Sequence, residues 1–391
     1  MSWQETDKVT LRKEFVLQAI KEGSNISQLC KAYRVSRKTG YKWINRFHEC
    51  GSKGLIDQPT LPNYSPRKIS KAMVKNIIEI RQKHPRWGAR KIQVILFRNK
   101  IKDVPAPSTI HKVLLKEGYL TPTRKTKLHL SRFEHEAPNH LWQADFKGHF
   151  AYEKGRCHPL TILDDHSRFS VMLKACKNEQ GVTVKPIFIE AFQRYGLPDR
   201  INFDNGNPWG SLYDCARYTT LSKWIIRLGV KVSYSPPGTP QINGKDERFH
   251  RTLKTELLDF HYFKNISHIQ KHFNEWRETY NLERPHEGIG MQVPSDRYHQ
   301  SYRLYPQVLP EIEYSNDYKI KYPDMRGRLS FHGKQVFVGI PFAKEPLGIR
   351  ETNKKGVFQI YFSHQKLGEI DLSLTPKNTI TNLYSGKVKD L

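Results

Sequence analysis

Leu141-Trp142-Gln143-Ala144-Asp145-Phe146 reads as the start of a β-strand, expected over Leu141–Phe150, with a carboxylate in its middle. Asp is disfavoured in strands, and a charge flanked by Trp and Phe is costly unless something pairs with it; a metal ion is such a partner. The chain beyond it keeps the same character. Glu153-Lys154-Gly155 is a turn, and Cys157–Leu163 and Phe169–Ala175 are strands. A helix is expected over Gln180–Tyr195, short buried strands over Arg200–Phe203 and Val230–Ser233, and helices over Leu221–Leu228, Thr239–Phe260 and Ser267–Asn281. Strands interleaved with helices in this order specify a mixed α/β core, expected over residues 139–300.

Two further carboxylates stand where that core could gather them. Asp204 follows the apolar run Ile201-Asn202-Phe203, at the carboxyl end of a strand and before Asn205-Gly206, the edge of an α/β sheet where ligands bind. Glu247 lies on the helix that Thr239 can cap and Pro240 can begin. Asn243, Glu247, Arg251 and Lys254 share one face of that helix, so the carboxylate has cations beside it that can hold phosphates. Asp246 is offset by about 100° from Glu247 and is expected to point elsewhere. Phosphodiester hydrolysis needs an in-line nucleophile and relief of charge on the leaving oxygen. Two hard divalent ions held by clustered carboxylates supply both, so Asp145, Asp204 and Glu247 are the candidate catalytic and metal-binding residues.

Upstream the chain is helical. Apolar residues at helical spacing mark Leu11–Glu22 and Ile26–Tyr33, and Ser36 is a good N-cap for a third helix reaching Phe47. With Arg34-Val35-Ser36 as the tight turn this is a helix-turn-helix, residues 1–58. Arg37, Lys38, Tyr41 and Lys42 are the expected DNA contacts, with Val35, Trp43 and Phe47 packing inward. Gly40 inside this helix is unexpected, since it costs about 1 kcal/mol relative to Ala. A second winged-helix or helix-turn-helix-like unit is expected over 66–120, with helices Ile69–His84, Ala89–Asn99 and Ser108–Glu117. A basic linker follows over 121–138. Residues 301–391 read as short alternating strands with a hairpin turn at Asn353-Lys354-Lys355-Gly356, which suggests a small SH3-like β-barrel.

The charge agrees with these motifs. Lys plus Arg number 65 against 38 Asp plus Glu, a formal net charge of +27 that calls for a polyanion, and the natural one is nucleic acid. A ribosomal or merely soluble basic protein is the alternative on charge alone. Five cysteines without C-x-x-C spacing argue against a disulfide framework or a Cys-rich zinc site. No apolar run could span a bilayer and Met1–Lys13 is no signal peptide, so a cytoplasmic, nucleoid-associated protein is expected.

The ordered motifs Trp142-Gln143-Ala144-Asp145, Leu163-Asp164-Asp165-His166-Ser167-Arg168, Phe203-Asp204-Asn205-Gly206, Pro240 to Lys254 and Tyr280-Asn281-Leu282-Glu283-Arg284-Pro285-His286 resemble the retroviral-integrase superfamily of DDE transposases, especially those of bacterial insertion sequences. The resemblance implies an RNase H-like core, with Asp145, Asp204 and Glu247 as its metal-binding carboxylates and Asp165 in a structural role. It implies Mg²⁺ or Mn²⁺, two ions per site. It further implies binding to the terminal inverted repeats of a mobile element, nicking of those ends, and joining of the 3′ ends to target DNA by a homo-oligomer. Two departures are visible. The stretch from Asp204 to Glu247 is longer than the family's commonest spacing, and the zinc module that opens retroviral integrases is absent, which favours a transposase. A DNA-binding regulator derived from a transposase and an RNase H-like nuclease without strand transfer are the rival readings.

Overall fold

The computed structural model describes residues 7–57, 69–120, 134–210, 217–235, 244–375 and 380–384. The chain divides into two compact units, Met1–Lys68 and Ile69–Leu391.

The first unit is three helices: α1 (Lys8–Ala19), α2 (Ile26–Ala32) and α3 (Arg37–Cys50). Asn25 accepts from the backbone of Ser27 and Gln28 at the start of α2, and Ser36 accepts from Thr39 N–H at the start of α3, satisfying amides the first turn leaves free. Arg34 turns the chain between them with a φ of 53°. Phe15, Val16, Cys30, Trp43, Ile44 and Leu55 form the core, with Phe47 packed against it. Val35, expected inside, is exposed, because the turn that carries it stands off the helix crossing.

Gly40 has a reason. A Cβ there would lie 2.6 Å from Cys30 Sγ and 3.0 Å from Phe15 Cζ, so the bare backbone is what lets α3 close on α1 and α2. Gly40→Ala gains about 1 kcal/mol of helix propensity but overpacks a tight contact, which costs about 1–3 kcal/mol. The expected net result is a lower melting temperature of the N-terminal unit, and a smaller loss when Cys30→Ala is added. A gain in thermal stability from the single substitution would show that the contact is not tight.

The second unit begins with α4 (Lys71–Lys83), α5 (Ala89–Arg98) and α6 (Pro107–Lys116) around Met73, Ile77, Ile92, Leu96, Ile110, Val113 and Leu114. Helix α6 opens at Ala106 with Pro107 as its first residue and no side-chain cap, the preset φ of proline starting the helix instead. Buried Trp87 stacks on His84 at 3.6 Å. These helices dock on the central core through Lys83–Glu283 at 3.0 Å, Arg98–Asp296 at 2.5 Å and Lys91–Glu256 at 4.0 Å. The basic linker expected over 121–138 lies mostly outside the described residues.

The central sheet is built from β1 (Trp142–Phe146), β2 (Phe150–Tyr152), β3 (Gly155–Asp164), β4 (Ser170–Cys176), β5 (Arg200–Phe203) and β6 (Lys231–Tyr234). Its order is β2-β3-β1-β5-β6, with β4 on β3. The first four strands pair antiparallel, and β1-β5-β6 run parallel. Helices α7 (Gly181–Tyr195), α8 (Thr220–Arg227), α9 (Gly244–Glu256) and α10 (Ile266–Glu278) complete it. Strand alternation splits the apolar residues between two faces. Trp142, Ala144, Leu160, Ile162, Ile201 and Phe203 join Phe188 and Phe192 of α7 and Ile225 of α8 in one core. Cys157, Leu163 and Leu173 join Phe249 and Leu253 of α9 and Phe273 and Trp276 of α10 in the other.

The C-terminal residues form β7 (Lys319–Lys321), β8 (Arg328–Phe331), β9 (Lys334–Phe337), β10 (Leu347–Glu351), β11 (Val357–Phe362), β12 (Gln365–Asp371) and β13 (Ile380–Asn382). The expected hairpin turn is present between β10 and β11, with Gly356 at a φ of 82°. The expected barrel is not closed among the described residues. The strands divide into one sheet of order β12-β11-β10-β7 and another of order β13-β9-β8, separated by the turn at Ile340–Phe342. Their apolar faces do not make a core of their own; Leu329, Phe331, Phe342, Leu347 and Phe362 belong to the same cluster as α7 and α8.

Candidate active site

The two aspartates come together by arithmetic that the strands impose. In the parallel pairing of β1 with β5, Trp142 stands opposite Ile201 and Gln143 opposite Asn202. Asp145 lies two residues further along β1 and Asp204 directly after the last residue of β5, so both aspartates come to the same end of the sheet on neighbouring segments. Because Ala144 faces the α7 side, alternation turns the Asp145 carboxylate to the side where α9 packs. Burial pushes the Asp145 carboxyl up to about 7, and the neighbouring Asp204 charge adds to that. Asp204 is also raised by burial, partly offset by the Gly206 N–H that donates to it at 3.2 Å. A Cβ at Gly206 would sit 3.2 Å from an Asp204 oxygen, so glycine gives this amide its close approach. Asn205 donates to Ser235 O at 2.7 Å and pins the loop to the end of β6.

Glu247 lies in the first turn of α9 and is exposed, as are Arg251 and Lys254. Its charge reaches Asp145 and contributes to raising it. Among the described residues no three His, Cys, Asp or Glu side chains are close enough together to hold a metal ion. Of the two other carboxylates, Asp204 acts on Asp145 more strongly than Glu247 does. Residues 236–243, with Thr239, Pro240 and Asn243, lie outside the described residues.

Asp246 does point away from Glu247, but not away from the site. It is 3% exposed, one of its oxygens has no hydrogen-bond partner, and burial followed by the charge of Asp145 raises its pKa strongly. Spacing along a helix gives the angle between neighbours but not which of them faces inward. Glu179 carries no mark in the sequence. Its charge acts on both Asp145 and Asp204, and it pairs with His158 Nδ1 at 2.7 Å. It sits in the polar stretch Lys177-Asn178-Glu179-Gln180 ahead of α7, where nothing distinguishes it from a surface charge.

The Asp164–Arg168 turn is scaffolding. Buried Asp164 accepts from Asn139 N–H at 2.7 Å, Ser167 N–H at 2.8 Å and Ser167 Oγ at 2.5 Å. Asp165 accepts from His135 N–H at 2.9 Å and from Lys245 Nζ, which ties the start of α9 to the end of β3. On α3, the expected DNA-contact residues Arg37, Lys38, Tyr41 and Lys42 are all exposed.

The site has a built-in acid sensitivity in its supports. Burial pushes His84 and His250 down to about 4, and His286 well below its usual value. These folded-state values lie under the unfolded value of about 6.5, so the unfolded chain takes up more protons at low pH and the folded chain loses stability as pH falls from there. For His250 the full effect is of order 3 kcal/mol. Raised carboxyls such as Asp145 work in the opposite sense over this range, so the test is the difference: between pH 6.5 and 4 the urea midpoint of the parent is expected to fall relative to that of His250→Gln, and parallel profiles would contradict the burial.

The donor set suits a hard divalent cation. Two carboxylates crowded at a sheet edge, raised by burial and by one another, gain most from a cation that takes oxygen ligands.

Known families match along most of the chain. Integrase core domain models match residues 135–240 and 228–294. A helix-turn-helix domain model matches residues 11–62, a homeodomain-like model residues 39–114, and the C-terminal domain model of the IS481 family transposases residues 319–378. The chain is 24% identical over 262 residues to an uncharacterized protein of insertion element IS407 from Burkholderia multivorans, covering 65% of this chain and 90% of that one. It is 26% identical to an uncharacterized protein of insertion element IS476 from Xanthomonas euvesicatoria, covering 72% and 80%. With the transposase of insertion sequence IS904 from Lactococcus lactis it shares 27% identity over 42% of this chain and 63% of that one. Among solved structures, the HTLV-2 integrase catalytic core in complex with magnesium matches at 21% identity and a TM-score of 0.32, over 42% of this chain and 99% of that one.

Proposed function

This chain belongs to the DDE transposase and integrase superfamily, in the company of bacterial insertion-sequence transposases, and from that premise we propose that it cuts and rejoins DNA at the ends of a mobile element. The observation that carries the reading is Asp145 on β1 and Asp204 directly after the parallel neighbouring strand β5, with the charges of Asp204 and Glu247 both acting on Asp145. Asp145, Asp204 and Glu247 would hold divalent cations, Mg²⁺ or Mn²⁺ and two of them. Bound there, such cations would lower the cost of charge on the attacking and leaving oxygens.

The protein's own residues do the rest. Arg251 and Lys254, exposed on the helix of Glu247, hold phosphates on either side of the scissile bond. Lys147 contributes to the same basic surface, since the charge of Lys254 acts on it. The exposed face of α3 reads the terminal inverted repeats, with Arg37, Lys38, Tyr41 and Lys42 in contact with DNA. The α4–α6 unit, braced on the core, extends the DNA-binding surface. The first reaction frees a 3′ hydroxyl at each end, and the same site directs that hydroxyl at target DNA. Two ends must be held at once, so the working form is an oligomer on DNA. No described helix is long and apolar enough to cross a membrane, and the setting proposed is the cytoplasm and its nucleoid.

The test is incubation of the purified protein with Mg²⁺ or Mn²⁺, a labelled duplex of the element's end and a supercoiled plasmid, beside Glu247→Gln. Joined product from the parent alone supports a transposase. Cleavage without joining supports a nuclease, and tight end binding without chemistry in either metal supports a regulator.

A further inference from the structure

Thr161 and Asp145 stand opposite each other in the antiparallel pairing of β3 with β1. The Thr161 hydroxyl donates to the backbone carbonyl of Asp145 at 3.0 Å and also lies 2.9 Å from His250 Nε2. A hydroxyl has one proton, and here it is spent on the carbonyl, so His250 must donate through Nε2–H. Thr161 is 1% exposed and His250 is half-buried, with burial lowering its pKa so that it is neutral, so breaking either bond strands a polar group that water reaches poorly.

His250 is three residues beyond Glu247, close to one helical turn. On the other side of Glu247, Lys245 is bonded to Asp165 at the end of β3. The carboxylate thus sits between two points at which α9 is fastened to the sheet. One fastening ends on the main chain of Asp145 itself.

We propose that Thr161 and His250 are positioning residues that set the height of α9 over β1, and through it the reach of Glu247 toward the Asp145–Asp204 pair. The inference rests on the reading of these three carboxylates as cation ligands. Neither side chain touches DNA or cation. Each acts by fixing where Glu247 starts from.

The experiment is Mn²⁺ binding to the full-length protein without DNA, read from the free-ion signal in electron paramagnetic resonance. Thr161→Val, Thr161→Ser, His250→Leu and His250→Gln are compared with Asp145→Asn and Glu247→Gln. Thr161→Val and His250→Leu are expected to weaken Mn²⁺ binding by about 10–100-fold, the usual cost of losing a supporting partner. The double variant is expected to be no weaker than either single one, because one chain of bonds is broken in each case. Thr161→Ser keeps the hydroxyl and His250→Gln keeps an N–H donor, so both retain near-parent binding, a rescue that loss of packing would not give. In cleavage assays the two damaging variants lower kcat and leave KM for the end duplex unchanged. Thr161 and His250 lie on different elements, so if one damaging variant fails to fold the other still decides. Weakened binding in Asp145→Asn and Glu247→Gln with parent-like binding in Thr161→Val and His250→Leu would overturn the clamp alone. Parent-like binding in Asp145→Asn and Glu247→Gln would overturn the reading of the site, and the clamp with it.

Discussion

Asp145→Asn, Asp204→Asn and Glu247→Gln are each expected to cut strand cleavage and joining by at least roughly 10³-fold, because several kcal/mol of transition-state charge stabilisation is lost and about 1.4 kcal/mol is a factor of ten. Binding of the end duplex, measured by anisotropy in the absence of cation, is expected to stay within about twofold of the parent, since the recognition helix belongs to a separate unit with its own core. Stability separates this from trivial unfolding. The folded-state value of Asp145, raised to about 7, means that the ionised carboxyl costs stability once pH exceeds the unfolded value of 3.8, with the full cost present above 7. Asn carries no such charge. Asp145→Asn is therefore expected to melt higher than the parent at pH 8 without cation, while being inactive. A variant that is both inactive and less stable would point to a structural aspartate.

The second large effect belongs to α3. Arg37, Lys38 and Lys42 are exposed on one helix whose N-terminus Ser36 caps. Replacing all three by Ala is expected to weaken end binding by roughly 10²–10³-fold and to make the dependence of log affinity on log salt shallower by about 0.9 for each phosphate left without its cation. Tested singly, a residue that touches a base relaxes sequence preference at one position, and one that touches phosphate weakens all sequences alike. Unchanged affinity in the triple variant would move recognition elsewhere in the chain.

Much of this was legible in the residues because it depends on short periods. Ser36 reads as a cap from its place ahead of a helical run, and it caps. The strand holding Asp145 and the strand that Asp204 follows are recognisable from alternation and apolar runs, and their parallel pairing brings both carboxylates to one end of the sheet. What was not legible depends on residues far apart in sequence meeting in space. Gly40 looks like a defect until Cys30 and Phe15 are seen against it. The inward side of α9 is chosen by Phe249 and Leu253 meeting α10, and that choice buries Asp246 and exposes Glu247. Glu179 gains its importance only when the start of α7 is brought beside the sheet edge. The C-terminal strands read correctly one by one, but whether a set of strands closes is decided by what their faces pack against, and these pack on α7 and α8.

That last arrangement bears on how copies of such a gene decay. Tyr218 and the helix of Trp224 and Ile225 are roofed by Phe342, Phe362 and Tyr384, and Lys223 is tied to Glu345 at 2.7 Å. A premature stop ahead of residue 328 would strip that roof and expose the inner core, so the shortened product would be cleared rather than linger as a half-working enzyme. A stop just after the first unit has the opposite outcome: it leaves a small helical body with a complete interior and its exposed basic helix intact. Limited proteolysis of the two truncated products would separate them, the shorter one surviving and the longer one not. Loss of the tail therefore removes the core that carries the candidate site, and only a much deeper loss leaves a folded fragment with its basic helix.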